Sequence, residues 1–172
     1  MADYFTNFSF IVQLTNAAQQ DQALDLFKKT SGIQQGEEVP NDFPAALKEF
    51  ADDCVFEVEA GSQANTLWLH SDCGGIDSVC EFVQHLIKQF KLLPVAFEWS
   101  YDCTKPRTDA YGGGAAYITA EEIKTISTSE WVQQQVESKH LFSPDTHLCT
   151  YCGIHADDDA VAHQPCPNSN PA

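Results

Sequence analysis

Residues Asp53–His70 read DCVFEVEAGSQANTLWLH, and the division of this stretch decides the fold. Cys54, Phe56, Val58 and Ala60 stand on one side and Asp53, Glu57 and Glu59 on the other around Val55, the period of a half-buried strand with an acidic wet side. Thr66–His70, TLWLH, is a second strand-forming run, and only GSQAN separates the two. Five residues hold no crossover helix, so the runs return on each other as an antiparallel hairpin. A purely parallel, doubly wound sheet needs a helix at this point and is excluded.

Upstream, Phe8–Leu14 (FSFIVQL) predicts a first strand that stops at Thr15-Asn16. Asn16 with Gln19 has the form of a capping box, and Ala17, Ala23, Leu24 and Phe27 give the helix behind it an apolar stripe to about Lys29, with Gly32 as its breaker. Ser31–Pro44 is then a loop, and Phe43, Ala46, Leu47 and Phe50 have the spacing of a short helix.

Downstream, Ile76, Val79, Val83, Leu86, Ile87 and Phe90 recur at three- and four-residue steps in IDSVCEFVQHLIKQF and predict a long amphipathic helix. Val95–Thr119, VAFEWSYDCTKPRTDAYGGGAAYIT, reads as two strands joined by a loop over Asp102–Gly114. Thr119 with Glu122 predicts one helical turn, and Ser127 with Glu130 caps a helix to about Lys139. The order strand, helix, strand, strand, helix, strand, with an extra strand and helix, is that of an α+β ferredoxin-like split βαβ sandwich: an antiparallel sheet with helices on one face. The expected organisation is a ferredoxin-like domain over 1–140, a zinc-knuckle appendage over 141–167 and a disordered tail over 168–172.

Composition bounds the task. The chain is 43% apolar, which suits a globular core, and its 25 Asp and Glu against 9 Lys and Arg give a net charge of -16. That charge repels phosphate backbones, disfavours direct nucleic-acid binding and suits a basic protein surface. No apolar run reaches membrane-spanning length, and MADYFTNFSF lacks the basic start of an export signal. Seven cysteines, an odd number with three of them near histidines at metal-ligand spacing, fit a reducing cytoplasm better than a disulfide framework.

The strongest motif is C-x2-C-x10-H-x2-C, formed by Cys149, Cys152, His163 and Cys166. Thiolates and an imidazole in two tight pairs are the ligands of a tetrahedral structural Zn2+, and four protein ligands leave no open position for catalysis. Gly153 after the second cysteine lets the backbone turn. His147 and His155 are rival ligands, Asp157, Asp158 and Asp159 form an exposed turn, and the plain alternative is a set of reduced cysteines in an acidic tail. No Lys or Arg follows Lys139, so this knuckle has no phosphate contacts to offer.

Two other groups carry chemistry on paper. Lys105 and Arg107 with Gly112, Gly113 and Gly114 form a candidate anion- or partner-binding loop, without the Gly-Lys-Ser/Thr of a phosphate loop; the plain reading is a long hairpin loop pairing with nearby acids. Cys73 precedes the long helix with His70 nearby, the makings of a nucleophile and base, although Cys80 reads as a small core hydrophobe and His85 as exposed.

The block Trp99–Thr119 (WSYDCTKPRTDAYGGGAAYIT), together with the CxxCG tail, resembles a group of uncharacterised small acidic proteins carried by bacteriophages and plasmids. The resemblance implies an accessory protein of a mobile element and carries over no catalytic residue. The expected function is a non-enzymatic acidic protein-interaction factor that modulates a host nucleic-acid-directed defence protein, by DNA mimicry or direct binding. The alternative is a small-molecule or nucleotide-handling enzyme using Cys73 and His70 or the Lys105/Arg107 loop.

Overall fold

The computed structural model describes residues 2–105, 107, 110–137, 142–158 and 166–167, with the backbone alone at 135–137. The chain divides into two compact units, Met1–Ser127 and Thr128–Ala172. The break falls before the last helix, where the sequence reading carried the first domain on to residue 140.

The first unit is α+β. Six strands, β1 (Tyr4–Gln13), β2 (Glu57–Ala60), β3 (Thr66–Ser71), β4 (Val95–Cys103), β5 (Gly112–Ile118) and β6 (Ile123–Ser127), form one sheet in the order β2-β3-β1-β4-β5-β6. Every pairing is antiparallel, the β2–β3 hairpin among them as its five-residue connection demands. Helix α1 (Ala17–Gln34) leaves β1 and helix α2 (Ile76–Phe90) leaves β3. The register puts Phe8, Val12, Val58, Leu67, Leu69, Phe97, Trp99, Ala116 and Ile118 on one face of the sheet, and these pack into a single core with Leu26, Phe27, Phe82, Val83 and Leu86 of the helices. Phe82 meets Phe27 edge-on at 6.1 Å and Phe56 at 5.8 Å, which ties α2 to α1 and to the entry of β2. Gln84, also buried, donates from α2 to the Thr119 carbonyl at 3.1 Å and so pins the β5–β6 turn.

The structure corrects several local expectations. Asn16 does cap α1, accepting the Gln19 N–H at 3.0 Å, while the Gln19 side chain accepts from the Thr15 N–H at 2.9 Å. Gly32, however, does not end that helix. The stop lies at Gly36 (φ +94), whose N–H donates to the Ile33 carbonyl while the Glu37 N–H donates to the Gly32 carbonyl, the paired bonds of a Schellman motif. The helix expected around Phe43–Phe50 is two separate 3-10 turns, Ala45–Leu47 and Ala51–Asp53, which still bury Phe43, Leu47 and Ala51. Asp53 therefore belongs to a turn, and β2 starts only at Glu57, although Cys54, Phe56 and Val58 are buried as the alternation required.

Gly112–Gly114 lie inside β5 rather than in the loop before it. A methyl group on Gly114 would run into the Trp99 indole and the Ile126 carbonyl, so this glycine makes room for a buried ring to lie across the strand. Thr119–Glu122 is a hairpin turn and not a helical one: the Thr119 N–H donates to the Glu122 carbonyl at 2.9 Å, and β6, missed in the sequence, pairs back on β5. Among the described residues no helix is long and apolar enough to cross a membrane.

The second unit holds helix α3 (Thr128–Glu137), which starts where the Ser127–Glu130 signal put it. The expected end near Lys139 and the tail over 168–172 lie outside the described residues.

Candidate metal centre

Beyond α3 the chain doubles back twice in a short space. The Ser143 N–H donates to the Leu148 carbonyl at 2.9 Å beside a Phe142–Cys149 bridge, and the Cys149 N–H donates to the Ile154 carbonyl at 2.7 Å beside a Leu148–His155 bridge. Cys149 is common to both turns. Gly153 closes the second by donating to the Cys149 carbonyl at 2.8 Å, with φ +74, a conformation that a Cβ would penalise. The reading of Gly153 as the turn residue of the motif matches this geometry.

These turns bring Cys149 and Cys152 to Cys166, which arrives from 17 residues beyond Cys149. The three sulfurs lie within 4.8 Å of one another, a group that can hold a metal ion. Cys149 and Cys166 are buried and their sulfurs stand 3.8 Å apart. That separation is well beyond the S–S bond of about 2.05 Å in a disulfide. His163, the expected fourth ligand, lies outside the described residues. Its rivals stay out of the cluster: His155 accepts the Asp157 N–H on Nδ1 at 3.2 Å and faces the Asp157 carboxylate, and His147 stacks against its ring at 6.0 Å.

The other candidates are not drawn together in this way. Arg107 lies over the Tyr4 ring at 5.9 Å, Lys105 is an exposed loop residue, and the three glycines serve the sheet. Cys73 is exposed, and its thiol donates to the Asp72 carboxylate at 2.9 Å; that bond, with Asp72's charge, pushes the thiol's pKa up, the reverse of an activated nucleophile. Burial pushes Cys80 up to about 12 and Cys54 up to about 11, as for inert core thiols. His85 is half-buried rather than exposed, and desolvation lowers its pKa.

The acidic side read on Glu57 and Glu59 extends across the sheet. The sheet face opposite the core carries Glu57 and Glu59 of β2, Trp68 and His70 of β3, Ser9 and Ile11 of β1, and Glu98 and Asp102 of β4. The alternation in TLWLH signals an outward Trp68, yet the register that puts it beside Glu59 is tertiary. No family model, curated protein or solved structure matches the chain.

Proposed function

We propose that this protein is a non-catalytic acidic interaction factor whose target is a basic protein surface. In its sharper form the target is a host nucleic-acid-directed defence enzyme, engaged in place of DNA, a form motivated by the net charge of -16 together with the mobile-element resemblance. The observation that carries the reading is the exposed sheet face, on which Glu57, Glu59, Glu98 and Asp102 face Lys124 as the one Lys or Arg among its described strand residues. Lys124 is itself held by Glu122 at 2.8 Å. Such a face attracts cations and repels phosphate.

The frame proposed for this face is a ferredoxin-like split βαβ sandwich, extended by β5 and β6; the antiparallel order β2-β3-β1-β4 with both helices on one side supports it. The metal proposed for the cysteine cluster is a structural Zn2+. Two thiolates on a tetrahedral zinc, each about 2.3 Å from the metal, stand about 3.8 Å apart, and the Cys149–Cys166 sulfur separation of 3.8 Å agrees. Cys149, Cys152 and Cys166 would be ligands, with His163 as the proposed fourth. Bound there, zinc supplies cross-linking and no chemistry. Against a small-molecule or nucleotide-handling enzyme at Cys73 stands the protonated, Asp72-bound thiol.

The test is capture of nucleic-acid-binding proteins, pre-purified on a polyanion resin, by the immobilised chain. Basic proteins released by duplex DNA and by rising salt, and lost with the triple variant Glu57→Gln/Glu59→Gln/Glu98→Gln, are the expected result. Retention indifferent to both DNA and salt would sink the mimicry, because a charge-driven contact must be screened.

A further inference from the structure

Resting on the acidic-factor reading above, a more specific seat is built into the exposed sheet face. β2 and β3 pair so that Glu59 stands directly across from Trp68 and Glu57 across from His70; side chains so paired have Cβ atoms about 5 Å apart. The indole is held in place by stacking on His70 at 3.9 Å and by donating its Nε1 hydrogen to the Ser9 hydroxyl at 2.9 Å. It is nonetheless 37% exposed, and Ile11, its register partner on β1, is 50% exposed. The Glu59 side chain is 60% exposed, and its Oε1 stands 3.9 Å from His70 Nε2, an ion pair when that imidazole is protonated but too long for a hydrogen bond.

A fixed, half-exposed indole beside an exposed carboxylate is what a planar guanidinium recognises: it stacks on the ring and gives two parallel N–H bonds to the carboxylate, which a lysine ammonium cannot do. Ser9, which holds the indole, also lines a shallow groove of about 490 Å3 across β1 and β4, with Asn7, Ser71, Glu98 and Ser100 around Phe8 and Trp99. Its Asn and Ser side chains suit a peptide backbone, with Glu98 as a further anionic contact.

We propose that the face formed by β2, β3, β1 and β4 docks an arginine-bearing protein segment, with one guanidinium seated between the Trp68 indole and the Glu59 carboxylate. Charge decides among occupants. A second copy would set Glu57, Glu59, Glu98 and Asp102 against their own equivalents, and a nucleic acid would bring phosphates to the same carboxylates.

Deca-arginine and deca-lysine peptides, titrated into the full chain at physiological salt by calorimetry and tryptophan fluorescence, test this seat. Deca-arginine should bind more tightly and change the tryptophan emission, a change absent from Trp68→Leu, which keeps Trp99 and Trp131. Trp68→Leu and Glu59→Gln should each weaken it about tenfold, on the scale of a desolvated cation–π or charge-assisted contact. Glu38→Gln, the same charge change in the loop after α1, should weaken it less than about twofold. Glu59 and Glu38 are both exposed, so their variants keep the fold and report binding alone. Equal binding of both peptides, with Trp68→Leu and Glu59→Gln no different from Glu38→Gln, would overturn the arginine seat and leave the acidic-factor reading standing. Binding of neither peptide would overturn both. Dimerisation abolished by Trp68→Leu, or quenching by single-stranded DNA that Trp68→Leu abolishes, would give the face to another occupant and end the proposal.

Discussion

The two units of this chain hold themselves together by different means. The first buries whole side chains from every layer: Phe82, Leu67, Leu69, Leu86, Ile87 and Ile118 are almost fully excluded from water. In the second, Cys149 and Cys166 are the only buried side chains among the described residues, and Trp131 and Val132 of α3 are each 52% exposed. Hydrophobic burial scales with the area removed from water, so the first unit is stable through its core. A segment as small as the second has too little apolar area to offset its conformational entropy, and a metal cross-link is the usual remedy. Its three clustered sulfurs are where that remedy would act.

Metal removal breaks this comparison most sharply. With chelator, or in Cys149→Ser or Cys166→Ser, native mass spectrometry should show the loss of the proposed zinc, and amide exchange over 142–158 should rise to that of an unfolded chain. The cooperative unfolding of residues 4–127 should stay where it was. Exchange unchanged by metal removal would mean that the second unit is held by something other than its thiolates.

The reverse experiment strikes the core. Phe82→Ala empties the contact among Phe27, Phe56 and Phe82 and should cost the first unit about 3–5 kcal/mol in denaturant unfolding, with the proposed zinc unaffected. A loss below about 1 kcal/mol would mean that the α1–α2 layer can collapse around the cavity.

Gly114→Ala probes the sheet and should have the smallest effect of the three. The added methyl meets the Trp99 ring, whose nearer atoms include Cε2 at 2.7 Å, and the backbone of β6. Overpacking of this kind costs about 1–3 kcal/mol, and equilibrium unfolding should show it, with faster exchange along β5 and β6. An unchanged midpoint would mean that the Trp99 ring and the β6 backbone at Ile126 can both give way and that the glycine is not there for the ring.

Much of the first unit was legible because its signals are local. The helical spacing of Ile76–Phe90 reproduces the observed helix end to end, and the hairpin around GSQAN forms between β2 and β3 as read. Where the signal was ambiguous, tertiary context overrode it. Gly32 has the look of a breaker, yet within α1 its missing side chain leaves space for that of Glu37, and the helix runs on to the Schellman stop. Thr119 and Glu122 satisfy a capping pattern, but the same bonds close a hairpin turn once β6 has a strand to pair with. The glycine triplet suggested a pliable loop because the ring that needs the space, Trp99, lies fifteen positions earlier in the chain.

The sites divide along the same line. Sequence alone determined the alternation that makes the strands, the hairpin that forbids a parallel sheet, the net charge and the CxxCG turn, since each depends on neighbours within a few residues or on composition. Only the tertiary structure decided that Cys166 joins Cys149 and Cys152 and that neither His147 nor His155 does. It also set Glu59 across from Trp68 on the exposed face of the sheet. Both are matters of register and chain return, fixed by which apolar faces can be buried together, and no local spacing encodes them.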